Sequence, residues 1–574
     1  MSTTVTTHPG IATARAEVAT AGTPVVDSPD AFSLPASQKA LIRWHLYIAF
    51  GAMGIAVVHG LAQALSYANI DILGWFPGLK NYYQGLTIHG VFNAIVLTFA
   101  FTNGFLSLTT ARGLGRKLNG GLLHAAFWTL VAGLVLTSWA MFTGKSSVLY
   151  TSYAPLQGHW TYYLGMVLMV VSTWITSVNL FIAIAAWRRD NPGKRVPLMA
   201  FVSVATYAMW DLASIGIAVA FVVFLLPWSL GWTEGVDPLL TRSLFWFSGH
   251  PVVYFWLLPA YVSWYLMVPK HAGGRLISDA LTRIVFILFI LLSIPTGFHH
   301  QYTDPGISTS MKMIHLVMTF GIFFPSVITA FSIASALEIG GRSRGGGRLI
   351  GWFFKLPWGD PVLAAQLLAM LVFILGGITG LINASYSVNQ VIHNTTWVPG
   401  HFHMTVGTAV LLTFMGIAYW MIPWLKGREL WGRKLAVAQS WLYFVGVMIF
   451  ARGMVSGGLE GLPRRTFRAA ATYTKESWDL AGVWTGVGGT LMFISAMLFL
   501  LILVMTVLAG RRSAEQEIPF TETMQAPRTT GWEPRLDNFR WYVVAAIVLI
   551  LVAYGPFFIQ AFPPGLSVPG FKLF

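Results

Sequence analysis

Apolar positions along this chain fall in long uninterrupted runs, not in the alternation of a half-buried strand or the stripe of a surface helix. Met166–Ala185, Ala365–Leu381 and Leu491–Leu508 carry no charge, and runs of about 17–20 apolar residues are long enough to cross ~30 Å of hydrocarbon as helices. Lipid offers the backbone no other partner, so spans of this length are helical. Thirteen such segments are predicted, at 41–67, 84–110, 121–143, 160–187, 198–228, 240–268, 284–299, 312–338, 361–385, 401–424, 436–456, 484–508 and 541–562. The expected fold is all-α, an integral membrane bundle of about thirteen transmembrane helices. No internal repeat or change of composition divides it, so residues 38–574 read as one membrane domain. Residues 1–37 are polar and rich in Thr, Ala, Ser and Pro. They have no apolar run of the kind a signal peptide needs, and read as a disordered cytoplasmic tail.

Composition removes the soluble alternative. Hydrophobic residues make up 55% and charged residues 10%, against about 25% charged in ordinary globular chains, and the mean hydropathy is +0.65. The net charge of +15 could suggest nucleic acid, but its placement says otherwise. Alternate connecting segments (111–119, 188–197, 270–283, 340–356, 426–434 and 511–540) hold 23 Lys and Arg, whereas the other set holds 8. Positive charge stays on the cytoplasmic side, which puts the N-terminus inside and, after thirteen crossings, the C-terminus outside. The basicity is topology, and no nucleic-acid partner is expected. There is no cysteine, so disulfides, iron–sulfur clusters and cysteine-ligated copper are excluded. A metal here would rest on histidine, carboxylate, methionine or backbone.

Ionisable residues inside a bilayer segment are costly and are functional candidates by default. A lone histidine is more often an interhelical hydrogen-bonding group, but several here are grouped. His401 and His403, in Trp397-Val-Pro-Gly-His-Phe-His-Met404, are i and i+2 and point about 200° apart on a helix. They cannot chelate one ion, but can each ligate a different metal on opposite sides of one span, as two haems flanking a helix would require. His299-His300 ends the seventh segment beside Pro295 and Gly297. A helix end opened by Pro and Gly can turn adjacent imidazoles toward one ion, and neutral imidazole suits copper, iron or zinc. His250 and Tyr254, in Trp246-Phe-Ser-Gly-His-Pro-Val-Val-Tyr254, share a helix face, with Pro251 marking a kink or cavity. His89 lies near the start of the second segment between Gly85 and Gly90, which leave room for a flat group. The charge rule puts all six histidines in the outer half of the membrane.

These motifs resemble subunit I of the haem–copper oxidases, B-family, the cytochrome b–a-three type, from about residue 40 onward. The similarity includes Tyr82-Tyr-Gln-Gly-Leu-Thr-Ile-His89, Gly249-His-Pro-Val-Val-Tyr-Phe-Trp-Leu-Leu-Pro-Ala-Tyr261, Gly297-Phe-His-His300 and Val398-Pro-Gly-His-Phe-His403. The resemblance implies that His89 and His403 are axial ligands of a low-spin haem of b type. His401 would hold a high-spin haem of A type, and His250, His299 and His300 copper B. Tyr254 would be cross-linked to His250, Trp246 would pack against the copper-ligand histidines, and Arg464 and Arg465 would meet haem propionates. The implied activity is reduction of dioxygen to water, coupled to proton translocation across a prokaryotic plasma membrane. Electrons would come from cytochrome c or a similar donor. Without cysteine this chain cannot carry the binuclear copper centre that receives them, so a subunit II partner is implied.

Two positions depart from relatives. Val252 stands where the A-family has a glutamate, so no charged relay sits there, and Asn389 stands where one relative has an aspartate. Protons would instead follow Tyr254, Tyr261 and Tyr265, which fall within about 20° of one helix face, and the hydroxyl stripe Ser326, Thr329 and Ser332, with Ser278 extending it inward. Alternatives within the superfamily are a quinol oxidase and nitric oxide reductase; Tyr254 and Val252 argue against the latter. A proton-coupled transporter is the rival from another class, and its inverted repeats are not seen.

Overall fold

The computed structural model describes residues 33–514, 521–562 and 565–574. Most of the expected N-terminal tail lies outside the described residues, and the first helix starts at Ala36, so that the last two residues of the expected tail are helical. Leu34–Phe574 form one compact unit. Among the described residues, twelve helices are long and apolar enough to cross a membrane: Ala36–Tyr67, Tyr82–Leu114, Gly120–Phe142, Trp160–Asp190, Leu198–Ser229, Pro238–Ala272, Thr309–Ser343, Pro361–Ala384, Trp397–Lys426, Arg433–Leu459, Glu476–Ala509 and Phe539–Ala561. Each matches one of the thirteen expected segments.

The seventh segment is the exception. Its α-helix, Asp279–Leu292, is 14 residues long, and after a break at Pro295 the chain resumes as a 3₁₀ turn, Gly297–Gln301. It still crosses. Gly235–Val236 pairs with Val568–Pro569, and Leu276–Ser278 pairs with Thr523–Gln525. Each pairing joins two loops that share a side only if thirteen segments traverse the membrane. The spans are numbered first to thirteenth accordingly.

Local sequence explains the helix ends. Asn81, Asp237 and Asp360 side chains accept the backbone N–H groups that open the second, sixth and ninth spans, as N-cap residues do. Pro238 and Pro361 occupy the first helical position, where no N–H is needed. Gly427 ends the tenth span in the left-handed conformation. Small residues let spans approach closely: a methyl on Gly133 would lie 2.6 Å from the Gly165 carbonyl, so only glycine fits between the third and fourth spans.

Two irregularities position the histidines. A π-helical turn, Phe92–Leu97, follows His89 in the second span, and another, Thr405–Val410, follows His403 in the tenth. Each inserts one residue into the helical ladder, a device common at functional sites. The eighth span also differs from the continuous helix expected. It breaks at Ile322 between Thr309–Gly321 and Phe323–Ser343, because Pro325 has no N–H to give the Gly321 carbonyl.

Candidate metal centre

Pro295 and Gly297 do what their chemistry suggests: they end the seventh helix and put His299 and His300 on a tight turn, ring centroids 4.1 Å apart. His250 arrives from the sixth span, one residue before the interior Pro251. Nitrogens of His250, His299 and His300 all lie within 4.8 Å of one another. His250 Nδ1 and His300 Nε2 are 3.2 Å apart, the separation of two imidazole nitrogens that share one ion at about 2.0 Å each. Thr319 donates its hydroxyl to the His315 carbonyl and therefore accepts from His299 Nδ1–H at 2.8 Å. That leaves His299 Nε2 as the nitrogen with a free lone pair. Trp246 stacks on His300, centroids 3.8 Å apart and planes within 5°. Tyr254, one turn beyond His250, brings its ring to 4.7 Å from that imidazole, and His250 Nε2 is buried with no hydrogen-bond partner.

The other three histidines share one construction. Nδ1 of His89 meets the Ala56 carbonyl at 2.9 Å, Nδ1 of His401 the Gly376 carbonyl at 2.9 Å, and Nδ1 of His403 the Pro399 carbonyl at 2.7 Å. A carbonyl only accepts, so each Nδ1 carries the hydrogen and each Nε2 is free to ligate. Metal-bound histidines are oriented in this way. The rings of His89 and His403 face each other at 6.2 Å with planes within 15°, close to the ~6 Å that two imidazoles need to bind one metal from opposite sides at about 2.0 Å each. They line a cavity of about 250 Å³ with Gly60, Phe450, Arg464 and Arg465. His401 lies away from this pair, against the ninth span, where a methyl on Gly380 would come within 2.8 Å of its ring. The i, i+2 divergence expected of His401 and His403 is present.

The expected haem-edge arginines lie at the rim. Arg464 donates to Asn394 Oδ1 at 2.7 Å. Burial and the neighbouring Arg465 lower its pKa to about 10, so it remains cationic at neutral pH. Arg465 sits over the Tyr153 ring at 5.8 Å. Of the two glycines expected to make room beside His89, Gly90 lines the cavity. Gly85 does not; it faces His59 and Gln63, a turn away from the histidine ring.

The hydroxyl stripes meet side by side. Tyr261 donates to Ser326 at 3.0 Å and Tyr265 to Thr329 at 3.0 Å. Ser332 continues the row one turn further and donates to the Ile328 carbonyl. Ser278 accepts the Leu281 N–H as the N-cap of the seventh segment, and no hydrogen bond among the described residues joins it to the stripe. Val252, flagged for the glutamate it replaces, lines an apolar cavity of about 180 Å³ with Trp174, Trp210, Phe245, Gly249 and Trp256. Among those that sequence reading passed over are the residues whose carbonyls accept from these imidazoles, Ala56, Gly376 and Pro399, and also Thr319, His315 and Tyr554, whose hydroxyl accepts the Gly297 N–H. Only His315 carried a signal, as a histidine placed by the same charge rule in the outer half of the membrane, where position by itself does not mark it out from His59, His159 and His393.

Long membrane helices bearing a three-histidine cluster and a second, facing histidine pair make up the core of a membrane metalloenzyme. The family model "Cytochrome C and Quinol oxidase polypeptide I" matches residues 40–491. The chain is 42% identical over 548 residues to "Cytochrome c oxidase subunit 1" of Thermus thermophilus, covering 93% of this chain and 97% of that one. It is 26% identical to a "Probable quinol oxidase subunit 1" of Staphylococcus haemolyticus, covering 76% of this chain and 65% of that one. A solved heme–copper terminal oxidase, described as a dimer, superposes with a TM-score of 0.89 at 36% identity, covering 93% and 95% of the two chains. The chain belongs to the subunit I family of the haem–copper cytochrome c and quinol oxidases, and is an oxidoreductase.

Proposed function

We propose that this chain is the dioxygen-reducing subunit of a B-family cytochrome c oxidase. His89 and His403 would hold a low-spin b-type haem, His401 a high-spin A-type haem, and His250, His299 and His300 copper B. The observation that carries this reading is the three-histidine cluster, with His250 Nε2 unpartnered beside Tyr254. When bound, haem iron and copper supply the electron transfer and the binding of dioxygen.

The chain's own residues do the rest. Backbone carbonyls orient the three haem-facing imidazoles, and Trp246 and Thr319 fix the rings of His300 and His299. Arg464 and Arg465 present cations to the propionate edge of the low-spin haem. Tyr254 stands beside the cluster with a hydroxyl proton to give, and its free neighbour His250 Nε2 is the atom a His–Tyr cross-link would use. The apolar cavity that Val252 and Gly249 help to line suits a small apolar gas, which makes it the entry for dioxygen. Tyr261, Ser326, Tyr265 and Thr329 carry protons inward to the site without placing a charge in hydrocarbon, where one costs about 2.5–3.5 kcal/mol or more. Ser332 continues that line, and Ser278 would join it only through water. A subunit II bearing binuclear copper would deliver electrons from cytochrome c, and proton translocation would accompany turnover. The charge pattern supports a plasma-membrane location with the N-terminus inside and the C-terminus outside.

The test is direct. The purified complex is analysed for metal, extracted haem, and its reduced-minus-oxidised spectrum. Two haems and three coppers per copy of this chain, one for the three-histidine cluster and two for subunit II, with cytochrome c oxidation coupled to oxygen uptake, are expected. Non-haem iron in place of copper would turn the reading to nitric oxide reduction, and oxidation of quinol alone to a quinol oxidase.

A further inference from the structure

The thirteenth span contributes nothing to the histidine cluster, yet it grips the backbone that carries two of the histidines. Where the seventh segment loses its helix, the Tyr554 hydroxyl donates to the Ile294 carbonyl and accepts the Gly297 N–H, both at 3.1 Å. It bridges the break from the far side. Gly297 is held between two spans there: a methyl on it would lie 2.2 Å from the Trp246 carbonyl of the sixth and 2.4 Å from the Tyr554 hydroxyl of the thirteenth. One residue on, the Phe298 N–H donates to His315 Nδ1 at 3.3 Å, and His315 Nε2 meets the Ala553 carbonyl at 3.2 Å. Because Nδ1 accepts and the carbonyl can only accept, Nε2–H is the donor, so a single neutral tautomer satisfies both bonds. The Phe298 ring packs between His315, Tyr554 and Phe557, centroids 4.4, 4.9 and 5.1 Å away. Tyr554 and His315 are both fully buried within the bundle.

We infer that Tyr554 and His315 are positioning residues that set where His299 and His300 point, acting through the backbone of residues 294–298. The geometry explains why two residues whose side chains do not touch the ligating nitrogens are polar and buried. Buried amides and carbonyls demand partners, and a broken helix in a membrane must find them on its neighbours. Here they come from the eighth and thirteenth spans, so the orientation of the histidine turn depends on how those two spans dock. This inference rests on the reading of His299 and His300 as copper ligands.

The experiment compares Tyr554→Phe with Tyr542→Phe in the purified holo-complex. Tyr542 is on the same span, and its hydroxyl meets the exposed Arg535 carbonyl at 3.3 Å. Copper per haem is measured as a chelator is titrated in, and the infrared band of carbon monoxide transferred by flash to copper is recorded. In Tyr554→Phe the low-spin haem spectrum is unchanged, copper is held about tenfold less tightly, the usual size of such an indirect effect, and the carbonyl band is displaced or split. Tyr542→Phe matches the wild type. Wild-type copper retention and an unmoved band in a Tyr554→Phe complex with both haems would overturn the inference. If that variant does not assemble, His315→Leu decides by the same two readouts. Absence from the wild-type complex of both the third copper and the copper carbonyl band would instead overturn the ligand assignment beneath it.

Discussion

His401 and His403 are two residues apart yet turn to different neighbours, the one to the ninth span and the other to His89, and that separation makes each assignment testable alone. His89→Ala or His403→Ala should erase the low-spin haem signal while the chain stays in the membrane. A normal six-coordinate spectrum in either variant would remove the pair as axial ligands. His401→Ala should leave that signal intact and abolish carbon monoxide binding. Tyr254→Phe should keep both haems and copper, because the hydroxyl makes no hydrogen bond within the cluster, yet cut oxygen uptake by about 100-fold or more, as loss of a proton-transfer group does. Near-normal turnover of a metal-replete Tyr254→Phe enzyme would make the tyrosine a packing residue. The histidines were legible because helix geometry turns spacing into direction, and Trp246 was legible through the motif it opens. Tyr554 was not. It meets Gly297 across 257 positions, and no spacing rule links a tyrosine of the last span to a glycine of the seventh.

At the scale of elements, Pro and Gly were read well in one place and poorly in another. Pro295 and Gly297 announced an open helix end and gave one. Pro325 gives the same signal in the eighth span, where the apolar run masked the break at Ile322. The π-turns after His89 and His403 have no signature in hydropathy, since one extra residue leaves an apolar run apolar. The paired stripes of the sixth and eighth spans lead to a further prediction. Thr329→Val and Tyr265→Phe remove opposite ends of one 3.0 Å bond, so each should slow turnover sharply with haem spectra unchanged. Ser278→Ala should do much less to turnover, because its hydroxyl is spent on capping a helix. Full activity and full proton uptake from the inside in both stripe variants would exclude this path.

Across the whole molecule, the fifth, seventh and thirteenth spans are tied at one end by buried ions. Asp537, just before the thirteenth span, receives Arg283 at 2.7 Å and Arg195 at 2.9 Å, and Arg283 also meets Asp279 at 2.6 Å. Asp537→Ala would take from two buried guanidiniums the carboxylate they share, leaving Arg283 with Asp279 and Arg195 with Glu533 at 3.6 Å. Breaking a buried pair from one side costs about 3–5 kcal/mol, so the variant should unfold at a markedly lower temperature in detergent, and an unchanged midpoint would show the cluster to be dispensable. Elsewhere in the bundle, the imidazoles of His89, His401 and His403 take their bearings from Ala56, Gly376 and Pro399, and in each case from the peptide carbonyl, not the side chain. A point mutation can change what any of those residues displays, but it cannot delete a peptide oxygen. Drift in sequence therefore leaves the aim of these ligands intact for as long as the first, ninth and tenth spans keep their places. Side chains around these rings can thus be exchanged without removing the hydrogen bonds that aim them.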